Sequence, residues 1–114
     1  MPGRLLATAT FTLLLSLPAQ AFQNEGWWIV VSTHQADSSR MGKEVMAAEA
    51  RGRPCGLKVW NEWSGKFVGF RPGYHVIVLK GEPFAAHERA QAVVARARRC
   101  YPDAYTKHAR YLGE

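Results

Sequence analysis

The sequence predicts an α+β fold: a duplicated β-α-β unit (βαββαβ) forming a four-stranded antiparallel sheet with two helices packed on one face. Three observations carry that expectation. Tyr74 to Tyr111 reads strand, helix, strand; Gly26 to Trp60 reads the same way; and the residues before Phe22 have the pattern of an export signal rather than of a folded element.

In the second half, the β-branched run Val76-Ile77-Val78-Leu79 predicts a strand that breaks at Gly81-Glu82-Pro83. Apolar residues then recur at Ala86, Ala90, Val93, Val94, Ala97 and Cys100, the spacing of a helix. Pro102-Asp103 stops that helix, and Ala104 to Tyr111 alternates large and polar residues as a closing strand does. One such unit cannot cover both of its own faces, so it requires a partner.

The first half supplies it. Trp27-Trp28-Ile29-Val30-Val31-Ser32-Thr33 is rich in the aromatic and β-branched residues that favour strands. Asp37-Ser38-Ser39 offers N-cap oxygens to a helix with Met41, Val45 and Ala48 on its apolar stripe, and Gly52 and Pro54 end it. Gly56 to Trp60 alternates as the next strand. A shift of 47 positions sets Ile29-Val30-Val31 on Val76-Ile77-Val78, and Ala48, Ala50 and Arg51 on Ala95, Ala97 and Arg98, so the halves match in residue type. With both helices on one face, the other face of the sheet is expected to be free as a binding surface.

At the N-terminus, Arg4 precedes an uncharged run from Leu5 to Leu17, then Pro18 and the small-x-small sequence Ala19-Gln20-Ala21. A run of 13 residues is shorter than the roughly 20 needed to cross a bilayer. Residues 1–21 are therefore read as a signal peptide cleaved after Ala21, and Phe22 to Glu114 as one periplasmic or secreted domain with no membrane anchor after cleavage. Loss of Arg4 takes the formal charge from +6 to +5. A basic surface attracts nucleic acid, anionic lipid or acidic polysaccharide, and export argues against nucleic acid.

Both cysteines, Cys55 and Cys100, fall in the exported part, where thiols oxidise, and each lies at the end of a predicted helix. A disulfide between them is the expectation. A zinc site needs clustered ligands and a nucleophilic thiol needs a paired base, whereas His34, His75, His87 and His108 are scattered along the sequence. No nucleophile elbow, paired-histidine zinc motif or phosphate-cradling glycine pattern is present. Glu62 and Glu82 are the carboxylates one would nominate for glycoside cleavage, but any nine acidic residues contain some such pair. The chain is read as non-catalytic, without a cofactor or a metal.

The second half resembles a SPOR domain, the sporulation-related peptidoglycan-binding module. In that family a strand ends in a glycine-proline-phenylalanine turn, an alanine-rich amphipathic helix follows, and a proline-aspartate-alanine-aromatic segment leads into the last strand. Here those features stand as Gly81-Glu82-Pro83-Phe84, Ala85 to Cys100, and Pro102-Asp103-Ala104-Tyr105. The chain departs from the pattern at three places. Val30-Val31-Ser32-Thr33-His34 replaces a glutamine and a glycine-serine-phenylalanine turn, Glu82 is an insertion, and Asn61 to Gly73 is a longer connection carrying Trp63, Phe67 and Phe70.

The resemblance implies a non-catalytic module that binds peptidoglycan glycan strands stripped of their stem peptides, which are enriched where amidases act at cell division. Sugar faces stack on aromatic rings, their hydroxyl and acetamido groups take hydrogen bonds, and lactyl carboxylates attract cations. On that reading the ligand-binding residues are Ser32 and His34 at the end of the first strand, Tyr74 and His75 at the start of the third, Lys107 on the fourth, and Trp60 and Trp63 as a stacking edge.

The altered first strand supports a second reading, an envelope protein-protein interaction module of the same fold acting as inhibitor or accessory subunit. It would gather exposed apolar area around Trp63, Phe67 and Phe70. Structural roles compete for several of these residues. Trp27, Trp28 and Trp60 suit core or rim packing, and His75 suits a surface strand position. Arg89, Arg96, Arg98 and Arg99, like Lys43, Glu44, Glu49, Arg51 and Arg53, read as solvated helix faces that need no partner.

Overall fold

The computed structural model describes residues 24–81 and 83–113; the expected signal peptide, its cleavage site and the Glu82 insertion lie outside them. The elements follow as β1 (Glu25–Gln35), α1 (Ser38–Gly52), β2 (Val59–Trp63), β3 (Phe67–Val68), β4 (Tyr74–Leu79), α2 (His87–Ala97) and β5 (Tyr105–Tyr111). Every strand pairing is antiparallel, in the order β2-β4-β1-β5-β3. The mixed fold and both strand-helix-strand successions are as expected. The sheet has five strands rather than four, because the connection from Asn61 to Gly73 contributes β3. Among the described residues no helix is long and apolar enough to cross a membrane.

Local chemistry fixes both helices. The Asp37 carboxylate accepts from the Ser39 backbone N–H at 3.0 Å and caps α1. At the other end of α1, Gly52 lies against Tyr101, whose hydroxyl donates to the Ala48 carbonyl. A Cβ at Gly52 would stand 2.8 Å from the Leu57 carbonyl oxygen, so this contact admits no side chain. In α2 the buried residues Ala90, Val94 and Ala97 recur at helical spacing. The Cys55–Cys100 disulfide joins the turn after α1 to the turn after α2, with the Cα atoms 6.4 Å apart. Closing a loop of 45 residues stabilises the fold by about 4 kcal/mol through the entropy of the unfolded chain.

Two cores lie on opposite faces of the sheet. The first joins Ile29, Val31 and Ile77 to Ala48 of α1, Val94 of α2, Tyr101 and Ala104. The second joins Trp28, Val30, Val76, Val78, Phe67 and Ala109, with Trp60, Phe70 and Tyr111 packed around them. Trp28 is 2% exposed; its indole N–H donates to the Ala109 carbonyl at 2.9 Å, and Phe67 meets it edge-on at 5.3 Å. The face expected to be open is therefore closed by aromatic side chains.

This closure follows from connectivity. β2 and β3 are the two edges of the sheet, yet only Ser64–Lys66, one turn of 3₁₀ helix, separates them. The sheet must curl until its edges approach. Across the gap the Tyr111 hydroxyl of β5 donates to Glu62 of β2 at 2.9 Å, and the Trp60 and Tyr111 rings meet at 5.1 Å. Gly69, at φ +123°, lets the chain lie flush on β5, since a Cβ there would stand 2.7 Å from the His108 carbonyl oxygen.

Two further expectations change. Phe67 is buried and Trp63 and Phe70 are half-buried, so these three side chains are not the exposed apolar area expected of them; among the described residues the exposed large apolar side chains are Met46, Val68, Tyr105 and Leu112. The 47-position shift is also out of phase, because it sets Ile29 of the first core on Val76 of the second. A shift of 46 keeps faces together, carrying Val30 to Val76, Val31 to Ile77 and Ala48 to Val94. A one-residue slip inverts the facing of every strand residue.

The neighbouring pair Phe67 and Val68 tests the closure. Phe67→Ala should lower the unfolding free energy by about 3–5 kcal/mol, as for a large core deletion. Val68→Ala, at a side chain 51% exposed, should change it by less than about 0.5 kcal/mol. Urea titration of both variants reads the difference.

Candidate functional site

The sheet is notched where β1 outruns β5. Pairing between them covers Glu25 to Val30 and stops at Val30–Tyr105, whereas β1 continues beside β4 as far as Gln35. From Val31 to Gln35 this central strand has a neighbour on one side only. The cause is the turn at Pro102-Asp103, which delivers the chain to β5 at Tyr105. A bulge at Val31 moves the register from Val30–Val78 to Ser32–Ile77. It re-aims the strand's end, so that Ser32 and His34 face the helices and Thr33 faces the other side.

A cavity opens on each side of this strand end. The helix-side cavity, about 240 Å³, is lined by Ser32, His34, Arg40, Lys43, Glu44 and Arg51, with Ala48 and Tyr101 behind them. The opposite one, about 280 Å³, is lined by Thr33, Phe70, Arg71, Tyr74, Tyr105 and Lys107, among others. The Tyr105 and Thr33 hydroxyls, 3.3 Å apart, span the notch. Five cations, Arg40, Lys43, Arg51, Arg71 and Lys107, line the two cavities, and none has an ion pair among the described residues. The guanidinium of Arg51 lies 5.7 Å from the centre of the Tyr101 ring.

The one carboxylate in these linings is engaged elsewhere. Glu44 places Oε2 3.4 Å from His34 Nδ1 and Oε1 3.5 Å from His75 Nδ1. The histidines are directly opposite each other on β1 and β4. His75 is fully buried, with the Trp63 ring 5.7 Å away, and neither of its ring nitrogens has a hydrogen bond of good geometry. Burial holds its pKa below the ordinary imidazole value, and the nearby Glu44 carboxylate offsets part of that effect. Expectation and structure differ twice here. Glu44 is not a free solvated charge, and His75 is not a surface residue.

Of the expected ligand residues, Ser32 and His34 line the helix-side cavity, and Tyr74 and Lys107 line the cavity on the opposite face. His75 lines neither cavity and is buried 3.5 Å from Glu44 Oε1. Trp60 packs in the second core, and Trp63 lies beside His75, so these two do not form a stacking edge with the others. Glu62 accepts from Tyr111 and from the Trp63 N–H, a structural role. Thr33, Arg40, Arg71 and Tyr105 join the site without a signal in the sequence beyond their residue type. Among the described residues no group of three or more His, Cys, Asp or Glu side chains has the geometry to hold a metal ion. The chain matches no protein-family model, and no curated protein or solved structure matches it.

Because the unfolded chain's imidazole, with a pKa of about 6.5, binds protons that buried His75 resists, stability should fall as pH drops below about 6.5. Urea midpoints measured between pH 7.5 and 5 should decline for the natural protein. The His75→Gln variant should lose part of that slope.

Proposed function

We propose that the protein is a non-catalytic, exported module of the SPOR type whose notch grips peptidoglycan glycan strands freed of their stem peptides. The observation that carries this reading is the cationic lining on both sides of the end of β1: Arg40, Lys43 and Arg51 with Ser32 on the helix side, and Arg71 and Lys107 with Thr33, Tyr74 and Tyr105 on the other, none of the five in an ion pair among the described residues. A stripped glycan presents a lactyl carboxylate on every muramyl residue, apolar ring faces and many hydroxyls. Each has a matching group here: guanidinium and ammonium for the carboxylates, tyrosine rings for the sugar faces, and hydroxyls for the polar edges. Intact stem peptides convert those lactyl carboxylates to amides, so the anion next to the sugar is present only in the stripped strand.

The succession of two β-α-β units, in register at a shift of 46, agrees with an internally duplicated module of this type. The binding surface differs from the family's expected place, because the sheet face opposite the helices is filled by the second core. On this reading the periplasmic protein collects where amidases have acted, as they do during cell division.

A second reading draws on the free edge of β1. Val31 to Gln35 offers backbone to an extended segment of another envelope protein, which would add as a strand.

Co-sedimentation of the purified protein with sacculi, untreated or stripped by amidase, tests the first reading. Binding should be stronger to the stripped wall and should weaken as salt rises, because the contacts are partly exposed ion pairs. The variant Arg40→Gln/Lys43→Gln/Lys107→Gln should lose about tenfold or more in affinity. Equal binding to both walls, or a variant that binds as well as the natural chain, would reject it. Binding to neither, with an envelope protein crosslinked at the notch, would favour the second.

A further inference from the structure

We propose that a second cleft, between α2 and the Leu57–Leu79 side of the sheet, binds a single-chain anionic amphiphile. One position over from the buried stripe of α2, Arg89, Val93 and Arg96 recur at the same helical spacing and face this cleft. It has two lobes of about 390 and 360 Å³ that share Val93 and Arg96, each within the usual range for small-molecule sites. Pro54 and the disulfide-bonded Cys55 bound one lobe. Trp27 and Phe84, held together by an isolated β-bridge, bound the other.

The floor is apolar and incompletely covered. Leu57, Leu79, Phe84 and Val93 pack against the first core yet each stays half-buried. The rim is cationic: Lys80, Arg89, Arg96 and Arg99 are exposed, and none has an ion pair among the described residues. No carboxylate lines either lobe among the described residues. Four cations over an apolar trough repel one another and leave aliphatic surface wet. One ligand relieves both conditions, a negatively charged head held by the guanidinium groups with an alkyl chain along Leu57, Val93 and Leu79. A sugar strand offers no continuous alkyl surface, and an inorganic anion would leave the trough uncovered. The cleft shares no lining residue with the notch, so it stands independently of the glycan reading.

The test is a titration of the purified, methyl-labelled protein with dodecyl phosphate below its micelle concentration, followed by NMR. The expected result is saturable shifting of the Leu57, Leu79 and Val93 methyl signals and of the Trp27 indole. Arg89→Gln/Arg96→Gln should weaken binding by about tenfold or more, while Arg110→Gln, on β5, should leave it unchanged. Parallel arms use inorganic phosphate, dodecyl maltoside, a glutamate-rich octapeptide and phosphatidylglycerol vesicles. The proposal is overturned by no saturable shift with dodecyl phosphate, by equal affinity of the neutral maltoside or the double variant, or by saturation with phosphate alone. Tighter binding of the peptide, or binding to vesicles without binding of the monomer, overturns it as well.

Discussion

The three-residue link between β2 and β3 constrains the rest of the molecule. Strands at opposite edges of a five-stranded sheet can be joined by Ser64–Lys66 only if the sheet curls until those edges approach. Curling turns the face away from the helices into a concave surface, and Trp28, Phe67, Trp60 and Tyr111 fill it. A domain with both sheet faces buried cannot use either as an open platform. The β1–β5 ladder stops at Val30 and leaves Val31 to Gln35 paired on one side only, which forms the notch.

Much of this was legible in the residues. The strand runs, the Asp37 cap, the end of α1 and the pairing of Cys55 with Cys100 follow from residue chemistry, and the structure has them, whereas α2 ends at Ala97, before the expected Cys100. The second core had a signal too. Trp28 to Val31 and Val76 to Val78 are continuous apolar runs rather than alternating ones, the mark of strands buried on both faces. Phe67 and Phe70 in a connection supplied part of the cover. What the sequence does not carry is the three-dimensional fact that this connection crosses to the far edge.

The notch was half legible. Residue type picked out Ser32, His34, Tyr74 and Lys107 as suited to a glycan, but the notch exists because β5 begins opposite Val30, and pairing register is set by packing at a distance. The bulge at Val31 likewise decides that His34 shares a side with Glu44. Once the bulge is made, a helix carboxylate that looks solvated becomes the link between two histidines, one of them buried. The cations of the notch form no ion pair among the described residues, which is the physical basis for proposing an external anion.

The most direct test of that account is amide chemical-shift mapping of ¹⁵N-labelled protein titrated with soluble glycan fragments from amidase-treated wall. The account predicts saturable shifts concentrated at Ser32 to Gln35, Arg40, Tyr74, Tyr105 and Lys107. Shifts centred away from the notch, or no saturable shift at any fragment concentration, would contradict it.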